Sequence, residues 1–350
     1  MSDRLHPGAW WLWALALATA ASRTTNPWLL LLVLAVAGFV VVNRRTDEPW
    51  AGSYRVFLVF GLVAIGIRLV LHALLGGAGG TTVLFTLPSV PLPDWAHGIR
   101  LGGPVTAETL VAAGYDGLRL AALLCCVGAA NSLASPKRLL RSLPAALYEV
   151  SVAVAVGLTL APQLVSSVRR VRRARALRGD KRPRVRAVVV PVLADAFDRS
   201  LSLAAAMDSR GYGRRGTGSN RFAGGLVLAG LLGACLGLYA LLGGTGSAMF
   251  NGTVLAAGLV AATGGLVLSG RRVTRSRYRP DTWRLPELLT VCSGLCAVVL
   301  CYAAPEALNP AVAPLHVPAL PLLPAVGVLV ALLPAWVTPA PQSSIPRGNR

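Results

Sequence analysis

Apolar runs long enough to matter for a bilayer recur along the whole chain. A helix needs about 20 predominantly apolar residues to cross the hydrocarbon core. The stretches 55–75, 107–131, 222–243, 250–270, 286–304 and 319–337 meet that length and predict six spans. Two shorter runs precede them, 9–21 and 28–42, separated by the polar Ser-Arg-Thr-Thr-Asn-Pro of 22–27. These read as short spans or a tilted hairpin. Trp10, Trp11, Trp13 and Trp28 suit the aromatic belt of a membrane interface. The fold class that follows is an all-α polytopic membrane protein of about eight transmembrane helices.

Two other segments have a different periodicity. Residues 191–210 place Leu193, Phe197, Leu201, Ala204 and Met207 at three- and four-residue steps, with Asp195, Asp198, Arg199, Ser202 and Ser209 on the other face. That pattern predicts an amphipathic helix, with Pro191 in its first turn and Gly211 in the left-handed position just beyond its end. Residues 85–106 are rich in Pro and extended in character, and predict a short hairpin cap.

Charge then sets the topology. Of all residues 54% are hydrophobic and only 14% charged, against roughly 45–50% and 25% in soluble domains. The net charge of +20 would suit nucleic acid, but the cations lie in loops between apolar runs, where membrane proteins keep them on the cytoplasmic side. Arg44, Arg45 and Arg55 place the second loop inside, and 76–106, with only Arg100, outside. Residues 132–221 carry 18 Lys/Arg and 271–284 carry six Arg, so both are expected inside, with both termini cytoplasmic. Residues 144–168 are apolar enough to span, but spanning would put basic loops on the wrong side. They are therefore expected on the cytoplasmic side, with Ser151, Ala153, Ala155 and Gly157 permitting close helix packing. The expected layout is an N-terminal membrane domain (1–131), a cytoplasmic region (132–221), a further span (222–245) and a C-terminal stretch (246–350) with about three spans. No cleavable leader is expected at the start.

Two helices of the cytoplasmic region end alike. SSVRRVRRARALRG stops at Leu177-Arg178-Gly179, and AAAMDSRGYG at Ser209-Arg210-Gly211. Glycine ends each helix, so an Arg stands at the tip, where a cation also suits the negative end of the helix dipole. Two such tips would fit acidic grooves on a partner. In these motifs the chain resembles the transmembrane T component of energy-coupling factor (ECF) transporters, related to the membrane subunit of cobalt uptake systems. AAAMDSRGYG is similar to that family's second arginine motif, with Ser209 where Ala is usual. The first motif offers two registers, Ala174-Arg175-Ala176 and Leu177-Arg178-Gly179. The latter is preferred because Gly179 supplies the stop. LHPGAWW and Asn26-Pro27 resemble the family's opening, so that the likeness covers about residues 5–245.

The resemblance implies a coupling subunit that joins two cytoplasmic ABC ATPase subunits to a separate substrate-binding (S) membrane subunit. Each motif arginine would enter a groove of one ATPase. The substrate would be a vitamin, a vitamin precursor, cobalt or nickel, held by another chain. The sequence contains no G-x-x-x-x-G-K-[ST] phosphate loop, so hydrolysis is expected in the partners and not here. Membrane lipids are expected partners and nucleic acid is not.

The remaining candidates have plainer readings. Gly76–Gly80 lacks a Lys and reads as a loop. All six cysteines lie in apolar runs and read as small buried hydrophobes, so neither a metal site nor a cofactor is expected. Arg68 and Asp116 sit at similar depth in two antiparallel spans, and a structural ion pair is preferred over a transport site. His72 reads as a hydrogen-bonded packing residue. The alternative class is a multi-span membrane enzyme or stand-alone carrier with a basic cytoplasmic face. It would need a catalytic carboxylate or His cluster, and acids number only 14.

Overall fold

The computed structural model describes residues 5–45, 52–75, 82–90, 101–142, 147–179, 185–212, 221–243, 247–270, 283–305, 308–311 and 317–338. The helices in chain order are α1 (Pro7–Ser22), α2 (Pro27–Arg44), α3 (Ser53–Leu75), α4 (Ala107–Leu133), α5 (Pro136–Ser142), α6 (Tyr148–Leu177), α7 (Val185–Ser209), α8 (Arg221–Leu242), α9 (Ala248–Gly270), α10 (Leu285–Ala303), α11 (Leu322–Val330) and α12 (Pro334–Val337). Between α3 and α4 lies the expected hairpin, β1 (Val83–Val90) antiparallel to β2 (Leu101–Thr106). Glu108 anchors its root, accepting from Thr82 N at 3.1 Å and Thr82 Oγ1 at 2.8 Å. The protein is an all-α polytopic membrane protein apart from this ribbon.

Seven helices are long and apolar enough to cross a membrane: α2, α3, α4, α8, α9, α10 and the 150–177 stretch of α6. The set differs from the eight expected runs in three places. The 144–168 run continues into the arginine-rich stretch as one 30-residue helix and qualifies on length. At 16 residues α1 is short, and the 319–337 run breaks at Ala331–Leu333 into α11 and α12. Of the small residues at 151–157, Ser151 is buried, but Gly157 makes no close approach: a Cβ there would meet nothing within 4 Å.

The chain divides into two compact units, 1–139 with 280–350, and 140–279. In the first unit α1, α2, α4, α10 and α11 surround a core of Trp13, Leu17, Leu29, Leu30, Val33, Ala129 and Val328. The two ends of the sequence meet there. Trp13 Nε1 donates to Ala331 O at 3.1 Å, Asn26 Nδ2 to Ala319 O at 2.8 Å, and Thr24 Oγ1 to Leu308 O at 2.7 Å. Glu287 accepts from the backbone N–H of both His6, at 3.3 Å, and Arg284, at 2.9 Å, so that one buried carboxylate serves the starts of α1 and α10. The apparent extension 246–350 is therefore not one body: α10–α12 complete this core, whereas α9 pairs with α8.

Helix α3 packs on α4 through glycines, Gly61 meeting Ala121 and Gly117 meeting Ile65. Apart from Tyr54 and Gly61 its residues are not buried. That apolar outer face is suited to lipid or another membrane subunit.

In the second unit α8 and α9 form a close pair. A Cβ on Gly230, Gly237 or Gly258 would fall 2.2–2.6 Å from backbone nitrogen of the facing helix, the close approach that small residues allow in membranes. Of the six cysteines, Cys125, Cys126 and Cys301 are buried as expected, but Cys235 and Cys292 are exposed and Cys296 is intermediate. These lie on outer helix faces, where an apolar thiol is at home in lipid. The glycine-rich 76–80 lies outside the described residues.

Candidate coupling site

Helix α6 ends in the glycine stop that the sequence predicts. Its last residue is Leu177, and Arg178 N donates back to Arg175 O at 3.0 Å while Gly179 N reaches Ala176 O at 3.1 Å. Gly179 has φ +78°, a left-handed conformation that costs an ordinary residue about 1–2 kcal/mol. Helix α7 ends with the same device. Arg210 N bonds Met207 O at 3.2 Å, Tyr212 N bonds Met207 O at 3.0 Å, and Gly211 has φ +75°. Ser209 Oγ turns back onto Ala206 O at 3.0 Å, a bond that Ala at this position would lack. Arg178 and Arg210 are both exposed, as is Leu177. Between the two registers considered for the first motif, the helix stop falls at Leu177-Arg178-Gly179, and Ala174-Arg175-Ala176 lies inside α6.

The helix carrying the second motif starts earlier than expected. It begins at Val185, so Pro191 is an interior residue. A proline there removes one backbone hydrogen bond. The sides of α7 are also used in an unexpected way. Leu193, Phe197 and Leu201 are exposed, and it is the polar side, with Asp195 and Arg199, that meets α6.

Asp195 gathers that contact. Its Oδ2 accepts from Ser167 Oγ at 2.7 Å and from Arg170 Nη2 at 3.1 Å, both on α6. Arg199, one turn further along α7, donates Nε to Oδ1 at 3.2 Å and places Nη2 3.1 Å from Oδ2. Its Nη1 also donates to Gln163 Oε1 on α6 at 3.3 Å. The Ser167 bond foremost, with Arg199 and Arg170 adding to it, holds the Asp195 carboxyl below the ordinary carboxylate range. Arg170 therefore differs from the solvated cations around it. A second contact joins Tyr148 Oη to Tyr212 Oη at 3.0 Å.

These two contacts set the direction of the pair. Ser167 meets Asp195 and Tyr148 meets Tyr212, so α6 and α7 run antiparallel. Arg178 lies beyond Ser167 at one end, and Arg210 lies beyond Asp195 at the other. At 1.5 Å per residue the two tips are up to about 40 Å apart along the pair.

In the first unit Arg68 Nη1 lies 3.9 Å from Asp116 Oδ2, with both side chains a little over two-fifths exposed. His72 Nδ1 is 3.2 Å from Arg68 O on the preceding turn. Sequence reasoning passed over a further charge on α4, Arg119, which donates to Ser22 O at the end of α1. It also passed over Glu287 and Asp195 as organising residues. The Leu-Pro-Glu start of α10, with proline second and an acid third, was the available signal for Glu287. Among the described residues no group of three or more His, Cys, Asp or Glu could hold a metal ion.

Residues 1–220 match the family described as cobalt transport protein, CbiQ. The chain belongs to the CbiQ cobalt transport protein family. The match covers α1 to α7, and so includes both arginine tips and the Asp195 contact, and ends just before α8. CbiQ proteins are T components of ECF-type transporters, membrane parts of ABC-type transport complexes. The chain is accordingly a multi-pass membrane transport component. Among curated proteins none matches the chain.

Proposed function

We propose that this chain is the coupling subunit of an ECF-type importer, transmitting the ATP-driven closing of two cytoplasmic ABC ATPases to a separate substrate-binding membrane subunit. The observation that carries the proposal is the pair of exposed, glycine-terminated arginine tips, Arg178 and Arg210, at opposite ends of the antiparallel α6–α7 pair. A separation of up to about 40 Å is too great for one small groove and suits two partner subunits, one at each tip. Leu177, Gly179, Ser209 and Gly211 shape those tips. The absence of a phosphate loop from the sequence assigns hydrolysis to the partners. The unburied apolar stripe Leu193, Phe197 and Leu201 offers a surface to the substrate-binding subunit or to lipid. Family membership favours a transition-metal ion, cobalt first, as substrate, and a vitamin is the other class within ECF transport. In this reading 132–221 faces the cytoplasm, both termini are cytoplasmic, and Arg68–Asp116 is a structural pair.

Purification of the tagged chain in mild detergent, with mass spectrometry of what accompanies it, tests the proposal. The expected companions are two ABC ATPase chains, or two copies of one, and a small membrane subunit. Recovery of the folded chain with no ATPase would overturn it.

A further inference from the structure

In the first unit an apolar groove of 330 Å³ lies between Trp28 and Leu31 on α2, Val111 and Tyr115 on α4, and Val317 and Pro318 just ahead of α11. Ligand sites of this size join apolar walls to a few converging polar groups. Here those groups are the Trp28 indole N–H and the Tyr115 hydroxyl. Among the described residues neither has a hydrogen-bond partner. Arg119 stands one turn along α4 from Tyr115, on the same face. Its guanidinium donates to Ser22 O, where α1 ends. Helix α4 has 27 residues against 16 in α1 and 18 in α2. Tyr115 and Arg119 therefore stand beside the ends of α1 and α2, although they lie nine and thirteen residues into α4.

The charge at this place is not balanced by the protein. Among the described residues no carboxylate lies within ion-pair distance of Arg119. Asp116, next to Tyr115, is engaged with Arg68 at 3.9 Å. Arg23, which follows Ser22, lies over the Tyr302 ring with its guanidinium 4.6 Å from the centroid. An uncompensated cation in an apolar helix is costly and marks a site. Hydrocarbon alone would fill the groove, as it covers the outer face of α3, but it offers nothing to the indole, hydroxyl and guanidinium donors. Arg and Trp can only donate, so the ligand must bring acceptor oxygens, negative charge and an apolar tail together. A phospholipid has all three. Basic pockets between membrane helices hold lipid headgroups, and Trp and Tyr rings favour the level where an apolar body meets a wet tip.

We infer that the groove is a site for an anionic glycerophospholipid. One acyl chain lies along Trp28, Leu31 and Val111, and the phosphate and ester oxygens accept from Arg119, Tyr115 and Trp28. The lipid belongs to the leaflet at the 107 end of α4, which is the outer one when 76–106 lies outside. It joins α2, α4 and the approach to α11 where the three leave a gap. Cations are disfavoured in the outer half of a membrane protein, and the lipid phosphate gives Arg119 a reason to be there.

The test is native mass spectrometry of the full chain, stripped of lipid in mild detergent and titrated with dioleoyl phosphatidylglycerol, the bound fraction giving a dissociation constant. A single lipid is expected to saturate the chain. Dioleoyl phosphatidylcholine should bind about fivefold more weakly, one arginine's worth of attraction. Dioleoylglycerol, which lacks the phosphate, should bind more weakly by about tenfold or more. Leu31→Trp fills the groove and should abolish the single site, whereas Leu62→Trp, on the outer face of α3 and 74% exposed, should leave it intact. Arg119→Gln should bind the two phospholipids alike. Tyr115→Phe breaks no bond among the described residues and should weaken binding by about two- to tenfold; it serves if Arg119→Gln does not fold. Equal binding of all three lipids means annular lipid only and overturns the inference. So does a Leu31→Trp chain that binds as the unmodified one does. Displacement of the lipid by millimolar inorganic phosphate would make this a site for a free anion and overturns the lipid assignment. No ATPase takes part, so the outcome is independent of the coupling reading.

Discussion

Reversing the charge at one helix tip separates a coupling arginine from a merely basic surface. Arg210 is exposed, and no ion pair joins it to a carboxylate among the described residues, so Arg210→Glu removes no internal bond and should leave insertion and folded yield unchanged. At an interface the case differs. Truncating one member of a buried Arg–carboxylate contact costs about 2–5 kcal/mol. At 1.4 kcal/mol per tenfold, that weakens ATPase binding roughly 30- to several-thousand-fold, and reversal adds repulsion to the loss. Arg178→Glu should act similarly. Because the tips lie so far apart, the two effects should add in the double variant. The control is Arg172→Glu, an exposed cation of the same helix α6, expected to change binding by no more than about 1 kcal/mol. Arg170 would be a poor control, since it bonds Asp195. The assay is titration of detergent-solubilised chain with ATPase, read by fluorescence anisotropy. Equal effects of Arg210→Glu and Arg172→Glu would refute the reasoning and leave only a basic face.

Other outcomes follow from the same geometry. Cysteine at Leu84 should be labelled by an impermeant maleimide from outside the cell and cysteine at Arg173 only from inside; outside labelling at 173 would remove the cytoplasmic placement of α6. Neutralising Arg68 or Asp116 alone should lower folded yield, and the double neutral change should recover part of it, with a coupling of about 0.5–3 kcal/mol in a double-mutant cycle; normal yield with lost transport would make the pair functional instead. Gly258→Leu should lower the melting temperature in detergent sharply, because its Cβ would fall 2.3 Å from Ala234 N, whereas Gly264→Leu, with nothing within 4 Å, should be mild.

Much of the protein can be read from its sequence because lipid imposes a simple rule. Every backbone polar group in the bilayer must be satisfied within its own segment, so apolar runs become helices whatever surrounds them. The ends of α3, α4, α8, α9 and α10 fall within about two residues of the apolar runs that foretell them, within the usual scatter of helix ends. Helix stops are local as well. Gly179 and Gly211 alone dictate where α6 and α7 end, since only glycine takes positive φ without strain, and the arginine tips were legible for that reason.

What touches what was decided by tertiary structure. Periodicity gives α7 an apolar and a polar side but does not say which side meets a neighbour. The polar side faces α6 because Ser167, Arg170 and Gln163 stand ready to satisfy Asp195 and Arg199. The family resemblance, which ends near residue 245, sets 246–350 apart as an extension. Long-range packing instead divides it, since Trp13, Thr24 and Asn26 need carbonyl partners that the last third of the chain supplies, while the glycines of α9 admit α8 at backbone distance. The placement of the two arginine tips at opposite ends of one helix pair depends on contacts between residues 28 and 64 positions apart, a separation at which local sequence patterns carry no information.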